Sequence, residues 1–472
     1  MRSFYIVISL IVIAMPAAAG WRPHGVEASF TGIASEGRHA PFWLLSNREG
    51  RFLPEQHAAA IDLLLRSRPD TTGNFRFGYE VELFGRLSDS SRVHLHQAYA
   101  FVQWKELLQL RAGRWTNTIG SREPTLSTGS IIWSGNARPM TKLEIRTPDY
   151  IDVPYTRGYI ELKGRMAHGW FEQDRYVEGV WMHHKNIYFR LGGPLAVNLT
   201  YGFNHYAQWA GQSPRFDEPF PSDLKAFYRI FFNRAGDEDD PATPPGWAIN
   251  KFGNTLGSRN YGIDVSLEGM ETGLYLQDIF EDRSGLSRKN FPDGLWGAYL
   301  RFAGENRMLQ AIVYEFLHTK DQSGPTHDDE EGNVVGGNDN YFNHGHYQSG
   351  WTLYGFTIGT PLLTSPVFND PPFHRLANNR VLAHHLGLEG HLGNHITYRG
   401  LFTYSRNYGR HSIPFDQPLD QLSMMLELIR KFSNHNLELG ITFAADAGRM
   451  YGDNIGVMVV LSFELGVGSC EL

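Results

Sequence analysis

Two short stretches hold the residue types that seat sugars. Trp133, Asn136 and Arg138 lie close together in a glycine- and serine-rich stretch, and Tyr206, Gln208 and Trp209 form a second group. A sugar ring lays its C–H face on an aromatic side chain while amide and guanidinium groups take its hydroxyls. These six residues are therefore the saccharide-contact candidates. Trp and Tyr also gather where a membrane protein meets the interface. For Tyr206 and Trp209, near a strand end, that girdle reading weighs more; for Trp133, in a segment without alternation, both readings stay open.

Other reactive side chains point to less. His183-His184 and His384-His385 are adjacent pairs, and neighbours on a strand face opposite ways, so neither pair converges on one ion. His344 and His346 share a face but have no evident third ligand, and hydrogen bonding in a loop or lumen is their expected role. The acidic patches Asp237-Glu238-Asp239-Asp240 and Asp328 to Glu331 lack the spacing of a calcium loop and read as solvated loops. Glu80 and Glu82 would share a face one pleat apart, as a glycosidase pair could. Barrel lumens are normally charged, however, so an ion-pair network with Arg76 and Arg111 is expected instead. There is no nucleophile elbow in a strand-to-helix setting, no phosphate loop and no dinucleotide fingerprint. The chain is expected to be non-enzymatic, with no cofactor and no metal.

The element that would position such groups is clearest between Asn74 and Trp104. Phe75, Phe77, Tyr79, Val81 and Leu83 alternate with Arg76, Gly78, Glu80 and Glu82, which gives a strand one greasy and one charged face. A polar turn leads to a second arm in which Val93, Leu95, Tyr99 and Phe101 are spaced by even steps, with His94 and His96 opposite. Such a hairpin fits a sandwich, a lipocalin-like barrel, or a transmembrane barrel whose apolar face meets lipid.

The rest of the chain decides between them. Arg2, the apolar run Phe4 to Met15 and Ala17-Ala18-Ala19 form a signal peptide with cleavage before Gly20. No cysteine follows that site, and the single Cys470 forms no internal disulfide. No later apolar run could cross a bilayer as a helix. Aromatic residues make up 13% of the 472 residues and glycine contributes 50, as expected where girdles and tight turns recur. A net charge of -7 offers no basic field for nucleic acid. Alternating segments recur to Val457–Leu465. One helix is expected from Ser222 to Phe232, capped by Ser222 or Asp223, with Leu224, Phe227, Tyr228 and Phe231 at helical spacing. Ser121 to Arg146, polar with isolated large side chains, reads as an ordered loop folded into a lumen. At roughly 9–11 residues per membrane strand, about 16–18 strands fit. The expected fold is all-β: residues 1–19 a signal peptide and 20–472 one large antiparallel outer-membrane barrel with a short helical element.

Several stretches resemble the Wzi-type capsule-assembly family, in its Bacteroidetes-like branch. They include Pro41-Phe42-Trp43-Leu44, Leu126-Ser127-Thr128-Gly129-Ser130 with Asn136-Ala137-Arg138-Pro139, and His184-Lys185-Asn186-Ile187-Tyr188. Gly253 to Ser258, Tyr347 to Trp351, Ile358 to Pro361, Asn378 to Gly390 and Tyr451 to Asn454 follow in order. The resemblance implies an 18-stranded barrel with a small helical element on its periplasmic side, and a lectin-like role holding capsular or other surface polysaccharide. It carries over no catalytic motif. The tail from Gly466 to Leu472 departs from barrels that end on an aromatic residue in the last strand. The expected partners are polysaccharide and outer-membrane lipid, with the protein a monomer in a Gram-negative outer membrane. The alternative is a porin-like channel for saccharides or small solutes; a plug formed by Ser121–Arg146 or by the Ser222 helix would close it.

Overall fold

The computed structural model describes residues 23–466, except 68–72, 118, 121–122, 237–251, 305, 325–326, 329–333 and 433–434. The expected signal peptide, the acidic run from Asp237 to Asp240, residues Asp329 to Glu331 and the tail with Cys470 lie outside the described residues.

The expected alternation becomes one sheet closed on itself. Its first strands are β1 (Pro23–Glu36), β2 (His57–Ser67), β3 (Phe75–Leu87), β4 (Arg92–Trp104), β5 (Leu108–Arg114) and β6 (Thr141–Arg146). Then come β7 (Ile160–Trp170), β8 (Trp181–Leu191), β9 (Val197–Trp209), β10 (Asn254–Leu267), β11 (Met270–Phe280) and β12 (Gly294–Phe302). The last six are β13 (Ala311–His318), β14 (Val381–Leu392), β15 (Ile396–Gly409), β16 (Pro414–Phe432), β17 (Leu437–Gly448) and β18 (Asn454–Gly466). Each pairs antiparallel with the next, and β18 returns to β1 from Gly25↔Gly466 to Glu36↔Ile455. This is an 18-stranded closed barrel; a two-residue strand, Ile151–Asp152, adds to the sheet beside β7. Closure leaves every strand with two partners, which lets a sheet cross lipid without unpaired backbone. Among the described residues no helix is long and apolar enough to cross a membrane.

On β3 the two faces fall as expected. Phe75, Phe77, Val81 and Leu83 are exposed on the outer wall, while Glu82 is buried in the lumen. β4 departs from its even spacing. Glu82 pairs with Gln97 but Leu83 pairs with Leu95, so His96 is the extra residue of a β-bulge. Val93 and Leu95 stay outside. Tyr99 and Phe101 pair with Glu80 and Gly78 and turn into the lumen, because a one-residue slip moves every later side chain to the other face. The Phe101 ring takes the space that a Cβ on Gly78 would need.

One end of the barrel has short turns, such as 192–196, 268–269 and 393–395, together with both described chain ends; the other has 37–56, 115–140, 210–253 and 319–380. In such barrels short turns face the periplasm and long loops the exterior. The protein's main core lies inside the cylinder: Phe42, Trp43, Leu45, Ile131, Ile132, Trp133, Phe342, Tyr347, Trp351 and Ile358, all from the long loops, are buried. Helix α1 (Phe42–Leu45) is part of this filling, and Asp446 Oδ2 on β17 accepts the Phe42 N–H at 2.9 Å.

Helix α2 (Leu224–Phe232) forms as the spacing predicts. Asp223 Oδ1 accepts the Ala226 N–H at 2.7 Å, and left-handed Asn233 ends it. Its place is a correction. It belongs to the 210–253 connection, so it sits at the long-loop end and not on the periplasmic side. It also packs outside the barrel, with Phe227 and Phe231 at 5.3 and 5.4 Å from His183 and Phe227 at 5.7 Å from Trp209. His183 and Trp209 both point outward from their strands, so α2 is no part of the plug. A third helix, α3 (Arg283–Leu286), follows β11.

Candidate functional site

Residues 126–138 form the centre of the plug, pinned to the wall of β11 to β14 by buried polar side chains. Glu315 on β13 accepts from Ser127 Oγ at 2.6 Å, from Thr128 N and Oγ1 at 2.7 Å each, and from Tyr275 OH at 2.6 Å. Gln277 Oε1 on β11 accepts from Ser130 Oγ at 3.0 Å and Ile131 N at 2.8 Å. His385 on β14 lies 2.7 Å from the Leu126 carbonyl through Nε2. A buried carboxylate is stable only when such donors surround it. Here they also fix the loop's position.

The six expected sugar contacts are all buried, none more than 6% exposed. Trp133 stacks on Tyr206, which lies on His184 of the same wall. Asn136 Nδ2 donates to Thr357 O and Oγ1, both at 3.0 Å, and Arg138 Nε to Gly50 O at 3.2 Å, with its guanidinium 4.9 Å from the Tyr354 ring centroid. Gln208 Nε2 donates to Gly350 O at 2.8 Å. Trp209 stands apart on the outer wall, edge-on to Trp181 at 4.9 Å. Trp133 and Tyr206 thus meet, Asn136, Arg138 and Gln208 bind neighbouring loops, and Trp209 belongs to an outward-facing aromatic cluster.

The expected ion-pair network also changes partners. Glu82 is held by Arg51 of the 37–56 connection, which also reaches Glu49 at 2.9 Å and Asp62 at 3.5 Å. Arg76 pairs with Glu106 at 2.6 Å, and Arg111 lies 4.6 Å from the Tyr99 ring and 5.1 Å from Trp115. The bulge on β4 explains this, since it brings aromatic rings to the lumen beside Arg111. Among the described residues no three or more His, Cys, Asp or Glu side chains converge as a metal site. His344 Nδ1 accepts the His346 and Tyr347 N–H groups, both at 3.2 Å, and burial pushes its pKa down to about 3, so it is a neutral acceptor in a loop. Below the plug, a cavity of about 190 Å³ opens among Tyr150, Lys163, Arg165, Asn186, Tyr188 and Asn260.

The sequence reading missed a cluster on the outward surface. Tyr176, between β7 and β8, stacks on His374, between β13 and β14, at 5.1 Å and 22°. Phe373 continues the aromatic surface, 5.6 Å from His374, and Arg410 lies 5.5 Å from the Phe373 centroid. Gln348 Oε1 is 3.3 Å from His374 Nε2. Burial lowers the pKa of Arg375, with Arg215 adding repulsion; burial likewise lowers Arg410, with Arg375 adding to it. Cations therefore crowd this aromatic ledge, and His374 is lowered by burial and then by Arg375. Its constituents meet only in the fold: Phe373-His374-Arg375 is a visible triplet, but nothing in the sequence pairs it with Tyr176.

Comparison with known proteins adds the family. The profile of capsule assembly protein Wzi matches residues 34–363. Among solved structures the chain is similar to Wzi of Escherichia coli, described as a carbohydrate-binding β-barrel of the outer membrane involved in group 1 capsule assembly. Identity is 15%, covering 98% of this chain and 88% of that one, with a TM-score of 0.58. OccD3 of Pseudomonas aeruginosa (9% identity, 96% and 93% covered, TM-score 0.49) and OccAB2 of Acinetobacter baumannii (11%, 94% and 98%, 0.49) are more distant in fold. No curated protein matches the sequence. The profile takes in the plug motif Leu126–Ser130 and most of the loops that fill the lumen, and on that match the chain belongs to the Wzi capsule assembly family.

Proposed function

We propose that this protein is a non-enzymatic, exported outer-membrane barrel that holds an acidic surface polysaccharide at the cell exterior. The observation that carries the reading is the ledge of Tyr176, Phe373 and His374 with Arg375 and Gln348 at the long-loop end, over the buried Arg410. Aromatic faces suit sugar rings, the amide suits hydroxyls, and the Arg375 guanidinium suits a uronate carboxylate. The E. coli neighbour, described as carbohydrate-binding, supports it. Trp133, Asn136, Arg138, Tyr206 and Gln208 serve this surface from below, as the packed floor on which the outer loops rest. The protein acts as a monomer.

Purified protein titrated with the host's own delipidated surface polymer should bind, and binding should weaken with salt. Tyr176→Ala with His374→Ala should weaken it about tenfold, roughly 1.4 kcal/mol. In cells the double variant should make normal amounts of polymer and release more into the medium. Unchanged binding and unchanged release would sink the proposal. The channel reading needs a lumen open from end to end, and the loop packed between Glu315, Gln277 and Tyr206 argues against it.

A further inference from the structure

The outer wall of the barrel carries two cavities, one above the other on β5 to β8. The upper, of about 430 Å³, is lined by Arg114, Thr141, Trp170, Gln173, Trp181 and Tyr354 at the long-loop rim. The lower, of about 640 Å³, runs along Ala100, Leu110, Ala112, Leu143 and Met166, with Phe227 of α2 at its side. Strand register sets them in line. Arg114, Thr141, Trp170 and Trp181 are successive cross-strand partners; the next outward row is Ala112, Leu143, His168 and His183, and the one below is Leu110, Ile145, Met166 and Lys185, whose ammonium is turned to the Phe231 carbonyl of α2. Rows two residues apart are separated by roughly 7 Å along the strands. Polar and aromatic groups at the rim thus pass directly into an apolar trough, deepened where Ala100 pairs with Ala112.

Arg114 donates from Nε and Nη2 to Thr141 Oγ1, both at 3.2 Å, and from Nη1 to Leu95 O at 3.4 Å. These acceptors are neutral. Beside the trough, α2 turns Leu224, Tyr228 and Phe232 away from the barrel, 86%, 47% and 55% exposed. Residues four apart share a helix face, so this apolar stripe prolongs the lipid-facing band of the barrel.

We propose that this wall binds one lipid-anchored saccharide of the outer leaflet. An acyl chain lies in the trough, the sugar headgroup lies against Trp170 and Trp181, and its anionic substituent meets Arg114. A free sugar would leave the trough unfilled, and a plain phospholipid would leave the aromatic rim without a ring to cover. The continuity of the trough with the lipid-facing band favours a membrane component over a soluble protein. The proposal goes beyond polysaccharide binding at the outer ledge, and its failure would leave that reading intact.

The test uses the full chain in mild non-ionic detergent, titrated with diphosphorylated lipid A or with phosphatidylethanolamine and read by native mass spectrometry. We expect one lipid A per barrel, retained about tenfold better than phosphatidylethanolamine. Ala112→Phe, which fills the trough, should cut retention of both lipids. Arg114→Gln, at the half-exposed rim, should lower lipid A retention alone and so erase the preference. Heat-modifiable migration on gels checks that each variant is folded; if Ala112→Phe is not, Arg114→Gln still decides. Equal retention of the two lipids by the unaltered protein, a preference that survives Arg114→Gln, or a lipid-free pair of barrels joined at this wall would overturn the proposal.

Discussion

The indole of Trp133 lies 5.2 Å from the ring of Tyr206 with 16° between planes, and Tyr206 lies on His184 at 3.9 Å. A plug residue is thereby stapled to the barrel wall through a three-ring stack. Lys142 approaches the same group, its Nζ 4.3 Å from the Trp115 centroid and 5.7 Å from that of Trp133. Trp133→Ala removes the contact between loop and wall, at a cost of about 3–5 kcal/mol. The barrel, held by its ladders, should persist while the plug loosens. Planar-bilayer recordings should show a closed parent protein and an intermittently conducting variant; equal conductance would show that the stack does not hold the plug.

Glu315→Gln tests the anchor on β13. The four hydrogen bonds to the carboxylate come from two hydroxyls of the plug, one plug N–H and Tyr275. An amide group in its place turns a donor toward donors, and hydrogen bonds to a charged group are worth about 1.5–3 kcal/mol each before compensation. Protease cleavage within 126–138 should become faster. Combined with Trp133→Ala, the loss should be less than additive, because both anchors hold one segment.

The outward face of β3 makes a third prediction. Tyr79→Lys places a charge against lipid and should cost about 2–4 kcal/mol near mid-membrane. Gln103→Lys, on the lumen face of β4 across from Arg76, should cost much less. Urea-dependent refolding into vesicles measures both, and equal costs would reverse the assignment of faces.

A pH response is expected in the 319–380 connection. Burial, with Asp282 adding repulsion, pushes the Asp339 carboxyl up to about 7. Between its ordinary value of 3.8 and about 7 the folded loop holds a proton that the opened loop has lost. Stability therefore falls as pH rises through that window, by at most about 1.4 kcal/mol per unit. The Asp339 N–H, which donates to Gln322 O at 2.9 Å, should exchange more slowly at pH 5 than at pH 7 after correction for intrinsic rates. Asp339→Asn should flatten the response.

The architecture was largely legible, because alternation has one period and a barrel repeats it. Phe75 to Leu83 were assigned correctly for that reason. The bulge at His96 was not, since neither glycine nor proline marks it and the residues on both sides keep a strand's composition. The plug was recognisable as polar backbone with isolated large side chains, although Thr141–Arg146, read as part of that loop, is strand β6 of the wall. Its anchors were not, because Glu315 and His385, cross-strand partners on β13 and β14, lie far along the chain. Helix α2 could be read from Asp223 and its apolar spacing, but an amphipathic face looks alike toward lumen, periplasm or lipid. The ledge at Tyr176 and His374 is a product of loop packing alone.

The pairing of β1 with β18 also sets an order of assembly. Glu36 meets Ile455, so the last ladder to form joins segments from the two extremes of the chain. Contacts of such high sequence separation form slowly, since loop-closure entropy opposes them until the end. Until then both strands expose unpaired edges. The closing seam also carries part of the plug, since α1 lies against β16 to β18. The final strand is thus a latch that closes the sheet and seats α1 in the same place.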